Sequence, residues 1–167
     1  MFNFFSDSSL HNERQVDYCM SEKQTAKRAI EILLASSPCF KQLNGIEKAN
    51  LAAAFASESS RRVLYGKAFD LVKCRRKIDF RSEAEIRKNL DSIRVYEVKS
   101  TKKKNIPNDF SGYFFDLTTA ELLVAQSLGE QFRFAFVNTI TRKISEMSIR
   151  EVYAKARKIY PKWAVFL

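Results

Sequence analysis

The sequence predicts an α/β fold, a mixed β-sheet flanked by helices, with extra helices at the N-terminal end. Three observations predict it. Capping-box patterns at Ser82-Glu83-Ala84-Glu85, Thr118-Thr119-Ala120-Glu121 and Ser148-x-x-Glu151 each mark a helix start. The stretches 93–101 and 132–137 read as strands and alternate with those helices, an order that implies a sheet with helices packed on it. The 167 residues are 46% hydrophobic and 29% charged, with only four Gly and three Pro, which suits one domain with one core and excludes low-complexity disorder.

Taken in order, residues 1–20 mix Phe2, Phe4 and Phe5 with polar residues and read as an arm or partly ordered cap. Ala26, Ala29, Ile30, Leu33 and Leu34 recur at helical spacing over 22–35, and Ser36-Ser37-Pro38 ends that helix. After the Asn44-Gly45 turn a second helix is expected over 46–58. Residues 63–65 and 68–72 each read as strands with Gly66 bending the chain between them. The basic stretch 74–80 is ambiguous. A short charged helix follows to about Leu90, then the 93–101 strand, a loop with Lys102-Lys103-Lys104 and Pro107, and an aromatic stretch 113–115. The Thr118 helix runs to Leu128 and is closed by Gly129. Phe132, Phe134 and Phe136 then share one face of a strand and read as core. A helix from Ser148 to about Ile159 is stopped by Pro161, and 163–167 reads as a final short strand. No repeat or linker interrupts 1–167, so a single domain is expected, with 1–44 as a helical extension that forms a dimer and 45–167 as the core.

Composition excludes several kinds of chemistry. The single histidine, His11, cannot supply a multi-histidine metal site and makes a Ser-His-Asp triad improbable. Cys19, Cys39 and Cys74 contain no C-x-x-C pair and read as free thiols in a reducing, cytoplasmic setting. No Gly-rich phosphate loop is present, so no nucleotide cofactor is expected. No apolar run is long enough to span a membrane and the start lacks a secretory pattern. Twenty-nine Lys and Arg against nineteen Asp and Glu give a net charge of +10, which points to a polyanionic partner.

The chemistry concentrates at Arg94-Val95-Tyr96-Glu97-Val98-Lys99-Ser100-Thr101. Side chains alternate along a strand, so Glu97 and Lys99 project from one face. Burying both is costly unless they pair or bind an ion. The plain alternative is an edge strand with a solvated Glu–Lys pair. Upstream, Asp70 stands in a strand-like run. Asp followed by Glu-x-Lys on neighbouring strands is what a magnesium-dependent phosphodiesterase needs: two carboxylates for a hard cation with open positions, and a lysine to orient or help deprotonate the attacking water. A third carboxylate from a preceding helix would be Glu47 or Glu58.

Gly66-x-x-Phe69-Asp70-Leu71 followed by Tyr96-Glu97-Val98-Lys99-Ser100-Thr101 resembles the motif of the PD-(D/E)XK, or restriction-endonuclease-like, nucleases. Phe115-x-Leu117-Thr118-x-x-Glu121-Leu122-x-x-Ala125, with Phe132 and the strand to Val137, is similar to the NO VEIN C-terminal-like branch of that superfamily. The resemblance covers residues 45–138. The chain departs from the pattern in two ways: Phe69 replaces the usual Pro, and the Asp-to-Glu interval contains the charged 82–90 helix. Asp79 therefore competes with Asp70 as metal ligand. Glu121 fits its capping box so well that a structural role is expected.

The resemblance implies a restriction-endonuclease-like core and metal-dependent hydrolysis of DNA phosphodiester bonds. Asp70 and Glu97 would bind Mg2+, with Mn2+ as a substitute, and Lys99 would position the water. A small enzyme cutting both strands of double-stranded DNA suits a restriction-type homodimer. A nuclease acting on damaged, modified or branched DNA, a non-catalytic nucleic-acid-binding module, and a structural or toxin-neutralising partner remain open. Lys102, Lys103 and Lys104, with Arg61, Arg62, Arg75 and Arg76, are the candidates for gripping phosphate.

Overall fold

The computed structural model describes residues 23–58 and 62–160. The first helix, α1, covers 23–36 and ends where Ser36 Oγ donates to the Leu33 carbonyl (2.7 Å), two residues before Pro38. Strand β1 is Phe40–Lys41, and α2 is Gly45–Glu58, opened by a reciprocal pair. There Asn44 Oδ1 accepts from the Glu47 amide and Glu47 Oε2 accepts from the Asn44 amide, both at 3.0 Å. Strand β2, Leu71–Lys73, leads to α3, Glu83–Lys88, whose N-cap Ser82 accepts from the Glu85 amide. A single 3₁₀ turn then enters β3, Arg94–Thr101. Helix α4, Thr119–Leu128, is opened by a complete capping box and closed at Gly129, whose φ of 54° suits glycine. Strands β4, Phe132–Asn138, and β5, Ile144–Met147, precede α5, Ile149–Lys155.

The five strands form one open mixed sheet in the order β1-β2-β3-β4-β5. Only the central β3–β4 pair is parallel; the other three pairs are antiparallel. A parallel pair needs a crossover, and α4 supplies it. Alternation divides the sheet into two faces. Val72, Val95, Phe132, Phe134 and Phe136 point to a large core with Leu51 and Phe55 of α2, Ile86 of α3, and Val124 and Leu128 of α4. Leu71, Tyr96, Val98, Ala135 and Val137 point the other way, where Ala29 and Leu33 of α1 cover them. No helix among the described residues is long and apolar enough to cross a membrane.

Several expected elements differ. Residues 63–65 are irregular, not a strand; the Val63 amide donates to Ser127 Oγ on α4 instead of entering the sheet. The strand expected over 68–72 begins only at Leu71, because the chain turns through Gly66 and Lys67 first. Strands β1 and β5 went unread, each being too short to show a period. Helix α5 ends at Lys155, well before Ile159. Residues 23–44 are not an extension to the core: α1 roofs one sheet face and β1 pairs with β2. The arm at 1–20, His11, Cys19, Arg61 and the strand expected over 163–167 lie outside the described residues.

Candidate active site

Glu97 and Lys99 share the face of Val95, towards α2 and α4, on rungs opposite Phe134 and Phe136. The crossover returns α4 over this face, so its first turn meets the C-terminal half of β3. Glu121, third residue of α4, thereby reaches Lys99. Lys99 Nζ donates to Glu121 Oε2 at 2.8 Å and to Glu97 Oε1 at 3.2 Å. The three side chains are only 12%, 13% and 8% exposed for Lys99, Glu97 and Glu121, so this is no solvated surface pair.

Asp70 arrives from the neighbouring strand. Its amide donates to the Tyr96 carbonyl (2.9 Å), one rung before β2 begins. Its side chain shares Val72's direction by alternation, and Asp70 Oδ2 accepts from the Val98 amide at 2.9 Å. Where β2 diverges from β3, the carboxylate replaces a missing strand carbonyl. That bond engages one oxygen.

Glu97 and Glu121 share the one ammonium of Lys99, and Asp70 is near enough for its charge to act on Glu97. Burial foremost, and then the Asp70 charge, push the Glu97 carboxyl up to about 9; Lys99 opposes the shift, and the charge and hydrogen bond of Glu121 add to it. A second cation stands on α2. Lys48 Nζ donates to the carbonyls of Gly66 (3.0 Å) and Phe69 (2.6 Å) and lies 4.4 Å from the centre of the Phe69 ring. Burial lowers its pKa, while the charges of Asp70 and Glu97 act in the opposite sense.

The structure thus brings Asp70, Glu97 and Lys99 together. It does not bring the rival carboxylates to them. Asp79 is exposed between buried Ile78 and Phe80; its Oδ1 accepts from the Arg81 amide in the turn before α3. Glu47 spends one oxygen on the Asn44 amide and the other on Lys41 Nζ at 2.9 Å. Glu58 pairs with Arg62 on the last turn of α2.

The cationic candidates scatter. Lys102, Lys103 and Lys104 are exposed just beyond the C-terminal end of β3, in a loop tied down by Asn138 Nδ2 donating to the Lys103 carbonyl. Arg75 and Arg76 leave β2 beyond Lys73, which pairs with Arg94 at the other end of β3. The two groups are separated by roughly 25 Å, at about 3.3 Å per residue along the strand. Arg62 pairs with Glu58 and lies over the Phe55 ring, far from Glu121's end of α4.

Two functional candidates escaped the sequence. Glu121 does more than cap: its Oε2 accepts both the Thr118 amide (3.2 Å) and Lys99. Its position in the first turn of a crossover helix was the available signal, since such turns lie at the carboxyl ends of parallel strands. Lys48 had no local signal at all. Comparison of the chain with protein-family models, curated proteins and solved structures gives no match.

Proposed function

We propose that the chain is a metal-dependent DNA endonuclease of the restriction type, hydrolysing phosphodiester bonds in double-stranded DNA. The observation that carries this reading is the Asp70–Glu97–Lys99 set on one sheet face, partly buried and extended by the buried Glu121.

The donor chemistry fits Mg2+, with Mn2+ as a substitute. Asp70 and Glu97 offer hard oxygen donors, and a cation would offset both the burial that chiefly raises the Glu97 pKa and the Asp70 charge that adds to it. Among the described residues no three His, Cys, Asp or Glu side chains form a ready-made cage, so water and phosphate oxygens would complete the shell. Once bound, the ion would stabilise the charge that develops on the phosphoryl oxygens. Lys99 orients the attacking water, and Glu97 and Glu121 hold its ammonium in place. Lys102, Lys103 and Lys104, a few residues further along, grip the backbone beside the scissile phosphate.

Cutting both strands calls for two sites, and a two-fold homodimer is the simplest way to provide them. Supercoiled plasmid incubated with Mg2+, or with a chelator, tests the reading. Nicking that needs metal and disappears in a folded Glu97→Ala variant supports it. Retarded migration without cutting would indicate a binding module, and cutting that survives thorough chelation would exclude the metal mechanism.

A further inference from the structure

Asp70 occupies an awkward place. It lies outside the β2 ladder, at the end of a turn held by few main-chain bonds: the Ala68 amide donates to the Tyr65 carbonyl and the Asp70 amide to the Tyr96 carbonyl, each at 2.9 Å. The carbonyls of Gly66 and Phe69 are taken by a side chain from another element, Lys48. A half-buried ammonium is a costly way to dock a helix on a turn, because an apolar side chain would pack there without losing hydration. The choice makes sense where negative charge needs balancing, and Asp70 and Glu97 are both close enough to act on Lys48.

We infer that Lys48 is a positioning residue for Asp70, pinning the 66–69 turn through two carbonyls so that the Asp70 carboxylate meets the Val98 amide. The metal and cleavage consequences rest on the nuclease reading; the positioning rests on the contacts alone. Lys48 touches no reacting group. It fixes the direction of the Asp70 carboxylate and keeps a positive charge beside the carboxylates, while Lys99 remains assigned to water.

The Val98 amide reports the Asp70 contact without any metal or substrate. In Lys48→Met, which keeps the aliphatic stem and removes donors and charge, Val98 hydrogen exchange should accelerate about tenfold or more, while Ala135 in the neighbouring strand keeps its protection. Mn2+ titrated calorimetrically should bind about 10–100-fold more weakly, as when the support of a metal ligand is lost. Cleavage should need correspondingly more Mg2+ but recover most of its kcat at saturation, and Lys48→Arg should restore part of the affinity. If circular dichroism shows Lys48→Met unfolded, the same measurements on Lys48→Gln decide. Unchanged Val98 exchange in the folded variant would overturn the positioning role. Faster Val98 exchange with unchanged Mn2+ affinity would overturn its link to metal. A wild-type protein that binds no Mn2+, with Val98 still loosened by Lys48→Met, would remove the nuclease reading and uphold the positioning.

Discussion

Replacing Glu97 with Gln should stabilise the metal-free protein at neutral and alkaline pH while abolishing cleavage. The ordinary glutamate value is 4.5, and in the fold Glu97 is pushed up to about 9 by burial first and by Asp70 next. Between those values the folded protein keeps a proton that the unfolded chain has released. Raising the pH therefore favours unfolding; the stability is fully present below pH 4.5 and is lost as pH rises through about 9. At pH 7.5 the unfolded chain's carboxyl is three units above its pKa, which sets an upper bound of about 4 kcal/mol at ~1.4 kcal/mol per unit. Relaxation and water entry reduce such penalties, so about 2 kcal/mol is the working figure. Glutamine mimics the protonated side chain and does not ionise. The gain should appear as about 4–8 °C in Tm at pH 7.5 and vanish near pH 4.5. The assay is thermal unfolding of both proteins, with urea unfolding for the free energies, across that range with chelator present. A Glu97→Gln variant that is less stable than wild type at pH 7.5, or that shows the same pH slope, would refute the argument.

Asp70→Asn should lower cleavage of plasmid at least about 100-fold, whereas Asp79→Asn should stay within about twofold, since Asp79 only braces an exposed turn; equal losses would return the metal ligand to dispute. Replacing Lys102, Lys103 and Lys104 together with Ala should make the slope of log K against log[salt] shallower by about two to three units, uniformly across DNA sequences. The Arg75→Ala/Arg76→Ala pair, at the opposite end of β3, should change it by less than about one unit, and the reverse order would relocate the DNA path. Cys74, whose thiol is raised in pKa by burial first and Cys39 next, should react with iodoacetamide at pH 7.5 more slowly than a free cysteine peptide; mass spectrometry showing equal rates would contradict that environment.

Local signals carried much of the fold. Capping-box patterns announce α3, α4 and α5 because a cap is written within four consecutive residues, although at α3 only the Ser82 half of the box forms, and β3 and β4 announce themselves as strands. The same alternation puts Glu97 and Lys99 on one face whatever the topology. The two-residue β1 and four-residue β5 escaped because their stability comes from the strands beside them, not from a pattern of their own. The site divides in the same way. Glu-x-Lys is a relation within one strand, so sequence alone determined it. Asp70 and Asp79 look alike locally, and the difference between them is which neighbour the backbone meets: Asp70 reaches the Val98 amide as β2 parts from β3, while Asp79 faces solvent as Ile78 and Phe80 turn into the core. Glu121 joined Lys99 only because the parallel β3–β4 pair brings a crossover helix back over that face, and Lys48 reached the turn before Asp70 only because α2 lies against that turn. Spacing along a chain encodes which side of an element a residue faces. What that side faces is decided by packing between elements far apart in sequence, which only the tertiary structure contains.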